Sequence, residues 1–106
     1  MSDNLILLLE NLRKRPSMFG VDGSFGEYVA FFSGYEEASA TGPLAGFREY
    51  VATAPGVGRN LGWPIMIMQL AGMGSVQMNY HDLGVHDNEQ AVNVLFSKLR
   101  SFAQGQ

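Results

Sequence analysis

Apolar residues recur every three or four positions in five stretches of the chain, which is the period of an amphipathic α-helix. The first stretch begins near Ser2 or Asp3. It ends before Pro16, because proline lacks an N–H group and disfavours helical backbone in the preceding residue. The residues predicted to face the core from this helix are Leu5, Leu8, Leu9 and Leu12.

The second stretch, from Ser24 to Ala38, is the richest in aromatic residues. Ser24 and Glu27 have the spacing of a capping box, which predicts the start of a helix. Its predicted buried residues are Phe25, Tyr28, Val29, Phe32 and Tyr35. We expect this helix to be the centre of the bundle. We also expect Met18 and Phe19, which are apolar residues in the preceding loop, to be buried beneath the body of the domain.

Two shorter helices are predicted next. Thr41 is the expected cap of the third helix, and Pro43 fits its first turn. The apolar stripe of this helix is Leu44, Phe47 and Val51. Asn60 is the expected cap of the fourth helix, which should stop at Gly72. The apolar residues of the fourth helix, which surround it almost completely, are Trp63, Ile65, Met66, Ile67, Met68 and Leu70. Such a helix is either buried or covered by a partner.

The last helix is predicted to begin at Asp87 as the N-cap, with Gln90 reaching back to it. Its core stripe is Val92, Leu95, Phe96, Leu99 and Phe102, and its solvated residues are Asn93, Ser97, Arg100, Ser101 and Gln104. The preceding segment, residues 73–87, includes an alternating run at Val76–Tyr80. A lone strand could pair only with another copy of the chain, so we predict an extended loop there.

These elements predict an all-α fold, a compact single-domain bundle of about five helices with a long loop before the last helix. A length of 106 residues fits one domain, residues 1–106. The apolar fraction of 46% and the charged fraction of 16% are typical of a globular chain. The chain contains no cysteine, which excludes disulfides, thiolate zinc sites and cysteine nucleophiles.

The charge and the apolar runs bear on partners and location. A net charge of −3 argues against general nucleic-acid binding, which requires a basic surface. No apolar run approaches the roughly 20 residues of a membrane span. The run Leu5–Leu9 lies between Asp3 and Glu10 and lacks the basic start of a signal peptide. We therefore expect a cytoplasmic protein without a membrane partner.

The segment before the last helix holds both histidines, each followed by an aspartate. Imidazole and carboxylate groups are good metal ligands, so His81, Asp82, His86 and Asp87 are candidates for a metal site. Aspartates are also common in turns and at helix caps, and the spacing matches no metal signature. We therefore predict no metal and no cofactor. A small metal-binding protein or enzyme that uses this loop is the alternative hypothesis.

The order of motifs along the chain resembles that of small bacterial helical proteins, some of which look like immunity proteins of polymorphic toxin systems. The segments that carry this resemblance are Arg15–Phe19, Phe31–Tyr35, Phe47–Val51, Asn60–Trp63 and Glu89–Phe96. The resemblance implies a non-enzymatic protein that binds and neutralises a cognate toxin.

A binding protein of this kind would contact its partner through exposed carboxylates and aromatic residues. Acidic residues at helix ends or in loops speed association with a cationic partner. The candidate contacts are Glu36, Glu37, Asp82, Asp87 and Glu89, with Tyr80 as an aromatic anchor. A homodimer or larger homo-oligomer, joined through Ile65–Met68 or through Val76–Tyr80, is a further alternative.

Overall fold

The computed structural model describes residues 3–38, 42, 44–55, 57–58, 61–73 and 82–105. Its elements are α1 (Asp3–Lys14), a 3-10 turn (Pro16–Phe19), α2 (Phe25–Glu37), α3 (Phe47–Ala52), α4 (Trp63–Leu70) and α5 (Val85–Gln104). No β-strand occurs in the residues described. The predicted all-α class is therefore confirmed.

Helix α5 is the centre of the fold, because it packs against α1, α2, α3 and α4. The expectation that the aromatic helix α2 would be central is wrong. The reason is length: α5 has 20 residues and α2 has 13. A helix of 20 residues spans about 30 Å, which is long enough for different parts of α5 to contact the four other helices.

The apolar stripes predicted for α1, α2 and α5 form one hydrophobic core. The stripe of α5 is buried throughout. Leu5, Leu9 and Leu12 of α1 are buried, whereas Leu8 is half-buried. Tyr35 is half-buried at the end of α2. The buried residues of α2 are Phe25, Gly26, Tyr28, Val29 and Phe32. The helical period therefore predicted the buried faces correctly, apart from positions at their edges.

The loop between α1 and α2 differs from the prediction. Met18 is 72% exposed and Phe19 is 36% exposed, so neither is buried under the domain. They lie in the 3-10 turn that follows α1 almost directly, and this turn carries their side chains outward. Val21, two residues further on, packs against the core in their place.

Helix α3 begins later than the sequence predicts. The chain first makes a turn at residues 44–46, and Gly46 at the end of it has a φ of 88°. This left-handed conformation is costly for other residues, and it delays the helix to Phe47. Thr41 and Pro43, which were expected to start the helix, lie outside the described residues. Leu44, Phe47 and Val51 are buried as predicted.

Helix α4 begins at Trp63 with Gly62 as its N-cap, and Pro64 lies in its first turn. Asn60, the expected cap, lies outside the described residues. Trp63, Met66, Ile67 and Met68 are all buried within the chain itself. Burial inside the bundle thus accounts for the apolar character of this helix.

Helix α5 begins three residues earlier than predicted, because its N-cap is Gly84 and not Asp87. Asp87 is therefore not the cap but an acidic residue in the first turn, where the helix dipole favours a negative charge. Gln90 does not reach back to Asp87; its amide nitrogen lies 3.1 Å from Nε2 of His86. The first turn is closed by a 2.8 Å hydrogen bond from the backbone N–H of Asn88 to the carbonyl of Gly84.

Among the helices of the described residues, none is long and apolar enough to cross a membrane.

Candidate partner-binding surfaces

The predicted acidic contacts fall into two groups. Glu36 and Glu37 end α2, where Glu37 is exposed and Glu36 half-buried. Asp82, Asp87 and Glu89 are exposed around the start of α5. The start of α5 is attached to the start of α2, because Asn88 Oδ1 accepts a 2.7 Å hydrogen bond from the backbone N–H of Phe25.

The two acidic groups therefore lie at opposite ends of α2. That helix has 13 residues and is about 20 Å long. The structure thus does not bring the predicted acidic contacts together on one surface. Tyr80, the predicted aromatic anchor, lies outside the described residues.

The carboxylates near the two helix starts have structural roles of their own. The backbone N–H of Ser24 donates a 2.9 Å hydrogen bond to Oδ1 of Asp22, before α2. Hydrogen bonding to Ser24 holds the pKa of Asp22 below its usual value. Asp87 lies in the first turn of α5, where the positive end of the helix dipole favours its negative charge. Asp22 and Asp87 therefore help to stabilise the starts of α2 and α5, which is one reason for negative charge at this end of the molecule.

The histidine–aspartate loop is described in part. His86 and Asp87 border a cleft of about 390 Å³ whose other lining residues are Met68, Ala71, Gly72, Met73, Leu83 and Gln90. His81 lies outside the described residues. Within the described part of the chain, no three potential ligands among histidine, aspartate and glutamate lie close enough to hold a metal ion.

The apolar face of α4 is largely buried in the protein's own core. Met66 and Ile67 are fully buried and Met68 is 1% exposed, while Ile65 is half-buried. The interior of the bundle already occupies the surface that the homo-oligomer hypothesis assigned to Ile65–Met68. The other surface named by that hypothesis, Val76–Tyr80, lies outside the described residues.

A different apolar surface reaches solvent, and the sequence pattern did not predict it. It consists of the exposed Met18 and Phe19 of the 3-10 turn with the half-buried Phe31 and Tyr35 of α2, and we call it the aromatic surface. The rings of Phe19 and Phe31 meet edge to face, with centroids 6.0 Å apart. Phe31 and Tyr35 stack at 6.4 Å with an interplanar angle of 23°. The four residues thus form a continuous patch across two elements.

Hydrogen bonds fix the turn that carries Met18. Its own backbone N–H donates to the carbonyl of Arg15, and those of Gly20 and Val21 donate to Ser17 and Pro16. Gly20 adopts the left-handed conformation, with a φ of 80°, that lets the chain leave the turn. Met18 is therefore held outward on ordered backbone.

The aromatic surface continues into a shallow cleft at the end of α1. Asn11, Arg15, Met18 and Phe19 line this cleft, which has a volume of about 290 Å³. Methionine, aromatic residues and arginine are the types enriched at the centres of protein interfaces. One sequence signal could have located the surface: Met18 and Phe19 are apolar yet follow directly on the helix stop at Pro16.

Comparison of the chain with known protein families, curated proteins and solved structures finds no match.

Proposed function

We propose that the protein is a non-enzymatic protein-binding module whose partner covers the aromatic surface. The observation that carries this proposal is the exposure of Met18, 72%, on a turn closed by backbone hydrogen bonds. The ordered backbone of the turn keeps this apolar side chain in contact with water. Its burial by a partner would be favourable, because apolar surface would be removed from water. Contiguous exposed apolar patches commonly mark interaction sites.

The arrangement of the rings supports an interface centre. The ring of Phe31 already contacts those of Phe19 and Tyr35. A partner would therefore immobilise few additional rotatable bonds, and less conformational entropy would be lost on binding. Met18 is flexible and polarisable, so it can adapt its shape to a partner's surface.

The acidic residues at the end of α2 fit a role in association. Glu36 and Glu37 directly follow Tyr35 in the chain. Charges at the edge of an interface mainly set the association rate and its salt dependence. With a net charge of −3, the protein would attract a cationic partner over a distance.

We further propose that the partner is a bacterial toxin and that binding neutralises it. The support for this step is the order of motifs, which resembles that of immunity proteins. The test is to coexpress the protein with the product of the adjacent gene, isolate the complex and measure its affinity. We expect Met18→Ala and Tyr35→Ala to weaken the complex by about tenfold or more, as at interface hot spots.

Two matched variants sharpen this experiment. Val85→Ala removes another exposed apolar side chain, 87% exposed at the start of α5, and should leave the affinity unchanged. Changing both Glu36 and Glu37 to lysine should slow association and weaken its salt dependence without unfolding the protein. A complex unaffected by Met18→Ala would exclude the aromatic surface. If no complex forms and cells without this gene survive expression of its neighbour, the toxin proposal is wrong.

A further inference from the structure

A groove with charged side chains along its walls lies between α1 and α5. It has a volume of about 400 Å³ and is lined by Leu9, Glu10, Arg13, Lys14, Asn93, Phe96, Ser97 and Arg100. Glu10, Arg13 and Lys14 form its α1 side, whereas Asn11 and Arg15 of the same helix line the cleft beside the aromatic surface. The groove and the aromatic surface are thus on different flanks of α1.

The groove holds its cations over an apolar floor. Leu9 and Phe96 are 3% and 6% exposed. The guanidinium carbon of Arg13 lies 5.2 Å from the centre of the Phe96 ring, and its Nη2 donates a hydrogen bond to Oδ1 of Asn93. Both contacts place the guanidinium group against the α5 wall of the groove. Arginine has five N–H donors in a fixed fork, which suits it to bind a carboxylate through two of them.

A second cation is held at another point of the groove. Nη1 of Arg100 lies 3.1 Å from Oε2 of Glu10, and both side chains are about half exposed. Arg100 and Glu10 belong to α5 and α1, so this ion pair links the two walls. A bound carboxylate could approach Arg100 from the solvent side, because an exposed ion pair is weak and exchanges partners at little cost.

Charge distinguishes the groove from the rest of the molecule. Its three cations, Arg13, Lys14 and Arg100, and its one carboxylate, Glu10, give the groove +2. The chain has a net charge of −3, so the remaining residues carry −5. An anionic group approaching the protein is thus repelled by most of the molecule and attracted by the groove. The apolar floor strengthens that attraction, because it lowers the local dielectric constant.

We infer that the α1–α5 groove binds an acidic peptide segment of a partner protein, with its carboxylates on Arg13 and Lys14. Glu10 in the wall disfavours a nucleic-acid strand, whose phosphates form a continuous row of charges and require a continuous basic surface. This inference goes beyond the proposed function because it concerns a different surface. It stands if the aromatic surface binds nothing.

The test uses a fluorescently labelled octapeptide in which glutamate and leucine alternate, with fluorescence anisotropy as the readout. We expect saturable binding that weakens as salt is added. Arg13→Gln should weaken binding by about tenfold, since the variant loses a hydrogen bond between two charged groups. Lys14→Gln, on the exposed rim, should weaken it by about threefold. Lys98→Gln, which removes a cation of α5 outside the groove, is the matched control and should have no effect.

Three results would overturn the inference. The first is that a peptide with lysine in place of glutamate binds as tightly as the acidic peptide. The second is that Lys98→Gln weakens binding as much as Arg13→Gln does. The third is that a single-stranded oligonucleotide binds more tightly than the acidic peptide. Urea unfolding of each variant checks the fold. Because Arg13 also contacts Asn93 and Phe96, Lys14→Gln keeps the test decisive if Arg13→Gln unfolds. The proposed function is tested separately, by whether the Met18→Ala variant still forms a complex with the product of the adjacent gene.

Discussion

Oδ1 of Asn88, near the start of α5, accepts a 2.7 Å hydrogen bond from the backbone N–H of Phe25, the first residue of α2. Ser24 Oγ meanwhile accepts the N–H of Glu27 at 3.3 Å, which is one half of the predicted capping box. The other half is wrong, because the N–H of Ser24 donates to Oδ1 of Asp22 and not to Glu27. The start of α2 is thus capped both by its own N-cap residue and by a side chain 63 positions away. The second cap ties the two helices together at one end.

Replacing Asn88 by alanine should lower the free energy of unfolding by about 1–2 kcal/mol, the usual cost of losing a helix cap. Equilibrium unfolding in urea, followed by circular dichroism, measures this change. Ser101→Ala, at an exposed position of the same helix, is the control and should change stability by less than about 0.5 kcal/mol. Equal stability of the two variants would mean that the Asn88–Phe25 bond contributes nothing.

Met18→Ala should leave the free energy of unfolding unchanged within about 0.5 kcal/mol, because the side chain is largely in water. Met66→Ala removes the same side chain from a fully buried position of α4, and should cost about 2–5 kcal/mol. Urea unfolding of both variants compares one residue type in two environments. A large loss for Met18→Ala would show that the turn packs its side chain inward.

Two glycines should respond oppositely to alanine. Gly46 has a φ of 88°, so Gly46→Ala should destabilise the protein by about 1–2 kcal/mol, although no atom lies within 4 Å of the added Cβ. Gly34 lies inside α2 with equally open space around it, and Gly34→Ala should stabilise the protein by about 0.5–1 kcal/mol. Thermal unfolding midpoints measure both effects. If both variants shift the midpoint in the same direction, the backbone strain assigned to position 46 is wrong.

The phenol of Tyr28 should make stability sensitive to alkaline pH. The side chain is 2% exposed, and its ring meets that of Phe96 edge to face at 4.9 Å. Burial raises the pKa of Tyr28 above its usual value. The folded state therefore holds the phenolic proton more tightly than the unfolded state. The resulting contribution to the free energy of unfolding has its full value below about pH 10, the usual pKa of tyrosine. It is lost as the pH rises through the folded-state pKa of Tyr28.

Thermal midpoints measured from pH 8 to pH 11.5 test this pH dependence. The wild-type midpoint should fall at the alkaline end, and Tyr28→Phe should reduce that fall. Tyr35→Phe, at the half-buried end of α2, is the control and should leave the fall in place. Identical alkaline profiles for wild type and Tyr28→Phe would refute the assignment.

The sequence by itself determined the helices and their buried faces. The repeat of three to four residues that places Leu5, Leu9 and Leu12 on one side of α1 is a local property of the chain. Helix stops are local as well: Pro16 lacks the N–H that a longer helix would need. For these reasons the all-α class and the core stripe of α5 could be predicted without tertiary information.

Only the tertiary structure decided how these helices meet and which apolar residues remain outside. Helix α5 is central because its length lets it reach every other helix, a relationship that no single stretch encodes. Asn88 caps α2 across 63 positions, so no local pattern marks it as a cap. Met18 is exposed, whereas Val21, three residues later, packs against the core. Which apolar side chain of a loop reaches the core depends on the space left by distant residues, whereas periodicity reports only on the helix that contains it.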